Sequence, residues 1–322
     1  NNNLFFLDRK NHLRLRKLAL PAFSPRIMEQ MKERFSILVK ERFDEIGTPA
    51  SFNFAAEIAE IIPTQAIASL VGIPREKFPI FDSLAYGVVR GINPMLTPEE
   101  RKEAIKGVPE GLNLLNELID ERRKNPGDDF LSTLILAEDE GSKLSNMEMC
   151  ALVGAVLGAG SDTAVDLHSY LIKTLLQHPD QLKALKDDES LVQGAISETL
   201  RYESSGKTGL ARYASEDIDI NGFEVKKGQM VQLITSTAGM DPKMYDNPEV
   251  FNIKRDHDKS ISFGQGPHYC IGVTLVRSQT EVMLKELFKR FPSISLGDEI
   301  VYDYNHHNAR RMDVMMVNTN LS

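Results

Sequence analysis

Cysteine and positive charge are both scarce in this 322-residue sequence. It contains two cysteines, Cys150 and Cys270, whereas a secreted domain built on disulfides needs more. A reducing, cytoplasmic setting is therefore favoured. The 38 lysines and arginines face 46 aspartates and glutamates, which gives a net charge of −8. This acidic balance argues against nucleic acid as the main partner.

Long apolar runs are also missing. The longest, at residues 150–160, has eleven residues, which is too short to cross a bilayer, so we expect no membrane span. The N-terminal sequence NNNLFFLDRKNHLRLRK lacks the apolar block and cleavage site of a signal peptide. It also begins without methionine, so we expect that an upstream segment is missing.

The hydrophobic pattern predicts a mostly helical α+β protein. Apolar residues at helical spacing predict helices at about 27–46, 97–124, 147–177, 189–203 and 273–291. Two of these helices begin with a capping box, formed by Thr97 with Glu100 and by Ser145 with Glu148. Residues 210–236 alternate in polarity around glycine-containing turns, which predicts a small antiparallel sheet.

Cys270 lies in the segment FGQGPHYCIG, directly before the last predicted helix. The free N–H groups of a helix N-terminus favour a thiolate, and glycines let a backbone approach another group closely. The pattern therefore indicates a thiolate that binds a metal cofactor. Two alternatives are a buried, inert thiol and half of a zinc site with His268, but zinc needs a second Cys/His pair at useful spacing.

The whole segment resembles the haem-binding loop of the cytochrome P450 family. The matching positions are Phe263, Gly264, Gly266, His268, Cys270 and Gly272. The resemblance implies a cytochrome P450 fold, with a long central helix, small antiparallel sheets and a cysteine loop that binds haem b (iron protoporphyrin IX). It further implies that Cys270 is the metal ligand and that Phe263, Gly264 and Gly272 contact the cofactor.

The segment Ala159-Gly160-Ser161-Asp162-Thr163 resembles the oxygen-activation motif of the same family. The resemblance implies catalytic roles for Gly160, Asp162 and Thr163. Gly160 leaves room for a flat cofactor or a diatomic ligand, and an acid–alcohol pair can relay the two protons that cleavage of dioxygen requires. The alternative is a glycine kink in a buried helix, with a threonine that bonds back to its own helix.

Glu198 and Arg201 form a Glu-x-x-Arg pair on one helix face. Such pairs are usually exposed and contribute little to stability. The family resemblance instead implies a buried structural triad of Glu198, Arg201 and Arg255 that supports the cysteine loop.

Haem propionates need cationic or hydrogen-bonding partners. The resemblance implies that four side chains supply them: His12, Arg16, Arg212 and His268. His12 and Arg16 are four residues apart and reach the same side of a helix. The alternative for these two is a solvated basic face.

Taken together, the resemblance implies a bacterial-type haem–thiolate monooxygenase. It would insert one atom of O2 into a small, moderately apolar organic substrate. A separate ferredoxin or flavodoxin would supply the electrons, because the sequence has no flavin or nicotinamide fingerprint. Basic residues near 13–17 and 285–290 are candidates for docking that donor, and they fit an ordinary exposed face equally well.

Candidate pocket residues are Leu152, Val156 and Ala159 on the long helix and Ser205–Leu210 after the Glu-x-x-Arg helix. Two other functions stay open: a haem–thiolate peroxygenase or isomerase, and a non-catalytic partner protein of the same family. We expect residues 1–322 to form a single cytochrome P450-like domain that is incomplete at its N-terminus.

Overall fold

The protein is described by a computed structural model that covers residues 4, 7–91, 93, 96–137, 141, 143–204, 206, 209–258, 260–304, 306 and 309–320. Within these residues the helices are α1 Arg9–Ala19, α2 Pro25–Ile46, α3 Ile61–Val71, α4 Phe78–Gly91, α5 Pro98–Ala104, α6 Val108–Lys124, α7 Phe130–Leu136, α8 Asn146–Gly160, α9 Asp162–Gln177, α10 Pro179–Asp187, α11 Val192–Tyr202, α12 Thr235–Ala238 and α13 Val273–Arg290. Short turns of 3₁₀ or π helix lie at Leu20–Phe23, Ala55–Ala59, Arg75–Lys77, Glu189–Leu191 and Gly266–His268.

Both predicted capping boxes are confirmed. The Thr97 hydroxyl accepts a hydrogen bond from the Glu100 backbone N–H at 3.2 Å, and the Thr97 N–H donates to the Glu100 carboxylate at 2.8 Å. Ser145 and Glu148 repeat the arrangement, with the Glu148 N–H donating to the hydroxyl at 3.2 Å and the Ser145 N–H donating to the carboxylate at 2.9 Å. These bonds satisfy backbone donors that a helix start otherwise leaves free.

Two helices that the sequence predicts as continuous are each divided. The predicted helix at 97–124 is two helices, α5 and α6, because Pro109 lies in the first turn of α6 and cannot donate a backbone hydrogen bond to a preceding turn. The predicted helix at 147–177 divides at Ser161, between α8 and α9.

The strands are short and antiparallel, as the sequence predicts for residues 210–236. One sheet has the strand order β1 (Ser51–Asn53), β7 (Arg311–Asn318), β6 (Ser295–Asp303), and the other two sheets are β2 (Leu210–Tyr213) with β5 (Met230–Leu233) and β3 (Ile218–Ile220) with β4 (Phe223–Val225). The turn between β3 and β4 is Asn221-Gly222, where both residues have positive φ, +52° and +88°. This is the geometry expected of an Asn-Gly hairpin turn.

Buried apolar side chains form two clusters. Helix α8 packs in the first cluster and helix α9 in the second. The first cluster joins α1, α8 and the start of α13 through residues such as Leu15, Val156 and Leu275. The second contains the apolar face of α9 and the inner face of β7. Val282 of α13 packs against both clusters.

The stretch Asn146–Gln177 is long and apolar enough, by length and composition, to cross a membrane. In its most apolar window, however, 56% is buried inside the protein. A core helix of a soluble protein has the same properties.

Candidate functional site

The segment that contains Cys270 is a tight loop at the start of α13. The Cys270 N–H donates to the Phe263 carbonyl at 2.9 Å and closes the loop. Gly264 and Gly266 have φ of +73° and +71°, a conformation that residues with a side chain rarely adopt. A Cβ added at Gly272 would lie 4.0 Å from the Cys270 sulfur, so the glycines leave open space beside the thiol.

The surroundings of Cys270 act on its pKa in opposite directions. Burial raises the pKa of the thiol, while the Gly272 backbone N–H and the positive charge of Arg16 lower it, and burial is the largest of these effects. The Gly272 N–H acts in the direction expected of a helix start, and burial outweighs it. Coordination to a metal ion deprotonates a thiol outright.

Three of the four side chains predicted to bind propionates lie together beside this loop. His12 is buried and its ring stacks on His268, with centroids 4.0 Å apart. Arg16 donates to the Tyr269 carbonyl at 2.5 Å. His268 Nε2 lies 3.3 Å from the Asp8 carboxylate. Helix α1 therefore packs its His12–Arg16 face against the cysteine loop.

Burial lowers the pKa of His12, and the neighbouring His268 and Arg16 lower it further. These effects favour a neutral ring at His12, which can still take part in hydrogen bonds.

Arg212, the fourth predicted propionate partner, lies on β2 opposite Val231 and is exposed. It donates to the Ala211 carbonyl of its own strand at 2.8 Å. Among the described contacts, the structure does not bring Arg212 to His12, Arg16 or His268. Of the predicted pocket residues in the segment before β2, Ser205, Lys207 and Thr208 lie outside the described residues.

The Gly-x-Asp-Thr segment lies where α8 ends and α9 begins. The Thr163 hydroxyl donates to the Ala159 carbonyl at 2.5 Å, so this threonine does bond back to its own helix. The Ser161 hydroxyl does the same to Leu157 at 2.6 Å. A Cβ added at Gly160 would lie 3.0 Å from Ile67 Cδ1, so the missing side chain makes room for packing of α3.

The carboxylate of Asp162 contacts two side chains from the C-terminal part of the chain. His306 Nε2 lies 3.2 Å from Oδ2, and Arg311 Nη2 lies 2.6 Å from Oδ1. Sequence reasoning missed both partners. They follow Asp162 by more than 140 residues and belong to no motif, so no local signal points to them.

Glu198, Arg201 and Arg255 are brought together in the protein interior. The Glu198 carboxylate accepts hydrogen bonds from Arg201 Nη2 and Nε, both at 2.7 Å, and from Arg255 Nε at 3.2 Å. Arg201 also donates to the carbonyls of Gly239 and Pro248, at 2.8 and 2.6 Å. The network therefore connects α11 to the irregular segment that leads to the cysteine loop.

A cavity of about 500 Å³ adjoins the cysteine loop. It is lined by Ser197, Leu200, His257, Asp258, Ser260, Ser262, Phe263, Gly264, Gln265, Gly266, Tyr269 and Arg277. Arg277 lies over the Phe263 ring, with 5.3 Å between the guanidinium carbon and the ring centroid, and donates to the Ser197 hydroxyl at 2.8 Å. Sequence reasoning did not single out Arg277, because an arginine inside a regular helix pattern carries no signal of its own.

The residues at this site fit haem in the chemistry of their donors. A soft sulfur ligand suits iron, and imidazole and guanidinium groups suit the two propionates. Ile271, next to Cys270, packs in the same apolar cluster as α1 and α8, so the loop, the basic helix face and the helix that ends at Gly160 converge. This fold and donor set define the class of haem–thiolate proteins.

Comparison with known proteins agrees with that class. The family model described as Cytochrome P450 matches residues 92–299. Epothilone C/D epoxidase of Sorangium cellulosum is 35% identical over 97% of this chain and 76% of its own length. The 6-deoxyerythronolide B hydroxylase of Saccharopolyspora erythraea is 32% identical over 93% of this chain and 74% of its own length. A solved structure of an epothilone B-bound cytochrome P450 superposes with a TM-score of 0.92 at 34% identity, covering 100% of this chain and 81% of that one.

The chain belongs to the cytochrome P450 family. It is a haem-dependent monooxygenase that acts on a small organic substrate with O2 and a redox partner. The predicted fold class is confirmed. The bacterial relatives indicate a soluble protein, and their names give no support to an isomerase or a non-catalytic partner.

Proposed function

We propose that Cys270 is the sulfur ligand of the haem iron. The observation that carries this proposal is the position of Cys270 in a glycine-rich loop whose His268 stacks on the buried His12 and whose Tyr269 carbonyl accepts a hydrogen bond from Arg16. A deprotonated Cys270 sulfur would supply electron density to the iron of a bound haem. Phe263, whose carbonyl closes the loop, fixes the direction of the thiol.

His12, Arg16 and His268 hold the haem propionates in this proposal, since they present cationic or hydrogen-bonding groups at one edge of the loop. Arg212 is a fourth partner by resemblance. Gly264 and Gly272 have no side chain to obstruct the approach of a flat cofactor, which supports their assignment as cofactor contacts.

On the oxygen side, the bound haem supplies reductive activation of O2, so that one oxygen atom enters a C–H or C=C bond and the other leaves as water with two electrons and two protons. Asp162 and Thr163 move those protons in our proposal. The Thr163 hydroxyl donates its hydrogen to the Ala159 carbonyl. Its oxygen lone pairs therefore stay available to accept a proton or to orient a water. Gly160 keeps the helix close to α3 at this point.

We also propose that residues 1–322 form one domain in which the Glu198–Arg201–Arg255 triad is structural. Val282 packs against both apolar clusters, which supports a shared interior. Glu198 and Arg201 are buried, and Arg201 and Arg255 both donate to backbone carbonyls, which supports a structural role.

We propose a moderately apolar, polyketide-type substrate. The support comes from relatives whose names refer to epothilones, to 6-deoxyerythronolide B and to polyketide biosynthesis, and from the apolar residues Leu152, Val156 and Ala159 on α8. Titration with epothilone D, 6-deoxyerythronolide B and hexadec-9Z-enoic acid, followed by the haem absorption spectrum, tests this choice. A response to the fatty acid alone would overturn it.

The electron donor in this proposal is an acidic ferredoxin or flavodoxin of the cytoplasm. Lys285 and Lys289 are exposed on α13, the helix that begins at the cysteine loop. Complementary charge speeds association and makes it sensitive to salt. Lys289→Glu is expected to slow electron transfer at low salt, whereas Lys102→Glu on α5 leaves it unchanged. Equal effects of the two variants would count against this docking face.

The main test is the carbon monoxide difference spectrum of the reduced protein. We expect the strongly red-shifted band of thiolate-bound haem, and we expect Cys270→Ser to lose it. Cys150→Ser is the matched control, since Cys150 is half-buried in α8 and bonds weakly to Asn116. A Cys270→Ser protein that keeps the band would refute the assignment. Turnover with hydrogen peroxide but not with a ferredoxin system would favour a peroxygenase.

A further inference from the structure

Both carboxylate oxygens of Asp162 are in contact with residues from the C-terminal part of the chain, His306 between β6 and β7 and Arg311 at the start of β7. Oδ2 faces His306 Nε2 at 3.2 Å and Oδ1 faces Arg311 Nη2 at 2.6 Å. All three side chains are largely buried, with exposed fractions of 11% for Asp162, 6% for His306 and 15% for Arg311. Contacts in such a dry environment are stronger and more directional than surface ion pairs.

The hydrogen bonds of His306 assign its tautomer. The Ala309 backbone N–H points at His306 Nδ1 at 3.1 Å, and a backbone N–H can only donate. Nδ1 is therefore the acceptor and the ring proton sits on Nε2, where it is donated to Asp162. The Nδ1 lone pair is thereby engaged by a backbone N–H. This geometry suits His306 to hold the Asp162 carboxylate in place.

The Arg311 guanidinium contacts both the side chain and the main chain of Asp162. Besides its contact with the carboxylate, Nη2 donates to the Asp162 carbonyl at 3.0 Å, so Arg311 fixes the first residue of α9. The neighbouring Arg310 is bonded elsewhere: its guanidinium reaches Glu203 at 3.3 Å, and its carbonyl accepts from the Tyr170 hydroxyl at 2.7 Å. Arg311 therefore contacts the first residue of α9, whereas Arg310 contacts Tyr170 further along α9 and Glu203, which follows α11.

We propose that His306 and Arg311 are positioning residues that hold the Asp162 carboxylate beside Thr163 for proton delivery. A proton from solvent water enters on Asp162 and leaves toward Thr163, so the carboxylate is regenerated in each cycle. The proposal rests on the proton-relay role of Asp162 in the proposed function. It adds two residues, from a part of the chain remote in sequence, on which that relay depends.

Arg311→Gln and Arg310→Gln are a matched pair for testing this role. Both loosen the same turn, but only the first loses a contact with Asp162. With a ferredoxin system, we expect Arg311→Gln to lower product per electron pair at least about threefold, with hydrogen peroxide released instead, since general acid–base groups contribute roughly 10²–10⁴-fold. Arg310→Gln should keep its coupling. Equal losses in the two variants would show a structural effect only and would overturn the proposal.

His306 gives a second, independent comparison. His306→Gln places an amide donor near Asp162 Oδ2 and is expected to restore coupling that His306→Phe loses. In both variants, turnover driven by hydrogen peroxide should change less than about twofold, because peroxide carries the protons that the relay otherwise supplies. If peroxide turnover falls in parallel with O2 turnover, or if the glutamine variant rescues nothing, His306 does not position the relay.

An infrared measurement separates failure of this inference from failure of the proposed function. In protein with ¹³C-labelled aspartate, the difference between wild type and Asp162→Asn isolates the Asp162 carboxylate band. Arg311→Gln should shift that band and Arg310→Gln should not, whether or not haem is bound through sulfur. If wild type lacks the thiolate-type carbon monoxide band, the proposed function is refuted. If the infrared band of Arg311→Gln is unshifted, the positioning role is refuted.

Discussion

Replacement of Glu198 by glutamine tests how much the buried triad contributes to stability. Glu198 is fully buried, and its carboxylate accepts four hydrogen bonds, two from Arg201 at 2.7 Å, one from the Asn252 N–H at 2.8 Å and one from Arg255 at 3.2 Å. A glutamine keeps one acceptor oxygen, but its NH2 group, itself a donor, then faces the N–H donors of the arginines or of Asn252. The Arg201 guanidinium, only 1% exposed, loses its counter-charge.

Removing one partner of a buried ion pair costs about 3–5 kcal/mol, because the remaining charge is left uncompensated in the interior. We therefore expect Glu198→Gln to lower the free energy of unfolding by about that amount. Arg255→Gln should cost less than Glu198→Gln, since Arg255 is 12% exposed, gives Glu198 only one hydrogen bond and otherwise donates to backbone carbonyls near the surface. Urea unfolding followed by far-ultraviolet circular dichroism measures both values.

The matched control is Glu103→Gln, which breaks an ion pair between Glu103 and Lys106 whose side chains are both 76% exposed. Such a pair contributes about 0.2–1 kcal/mol. The reasoning predicts a strict order, with Glu198→Gln the most destabilising and Glu103→Gln the least. A Glu198→Gln protein within about 1 kcal/mol of wild type would show that the carboxylate charge is not needed to offset Arg201, and it would refute the reasoning.

Two further predictions concern stability. Burial lowers the pKa of His168 from 6.5 to about 3, so between these values the unfolded state holds one more proton than the folded state. Stability should therefore fall with decreasing pH at about 1.4 kcal/mol per pH unit, and His168→Gln should flatten that slope. If the acid limbs of the two proteins are parallel, His168 does not titrate in this way. In α11, a Cβ at Gly194 would lie 2.1 Å from the Ile253 carbonyl oxygen, whereas Gly154 of α8 has nothing within 4 Å. Gly194→Ala should lower the melting temperature, and Gly154→Ala should raise or keep it, since alanine is favoured in helices by about 1 kcal/mol; the reverse order would contradict the packing.

Local signals in the sequence were sufficient for much of the fold. The Thr97 and Ser145 capping boxes involve residues three positions apart, so they can be recognised without tertiary structure. Pro109 marks the start of a new helix by the same local logic, yet the apolar pattern on both sides favoured one continuous helix, and that prediction was wrong.

The residues of the site also differ in whether a local sequence signal reveals them. The loop around Cys270 and the Glu198–Arg201 pair are short motifs, so the sequence could place them, and the structure adds that the pair is buried. The partners of Asp162 could not be predicted, because Arg311 lies 149 residues away and only the folded chain brings it near. The burial that raises the pKa of Cys270 could not be predicted for a related reason: burial is a property of the whole fold, whereas the helix start is local.

The division of the long helix at Ser161 has a consequence for how the protein opens. Because α8 packs in one apolar cluster and α9 in the other, the two halves of the helix belong to different cooperative units. Amide hydrogens of Leu152 and Val156 should therefore exchange with solvent together with those of α1, while those of Leu171 and Leu175 follow the second cluster. An opening of the first unit to admit a bulky guest would then leave the Glu198 network intact. Ser161 then marks the boundary between two units that we expect to open separately.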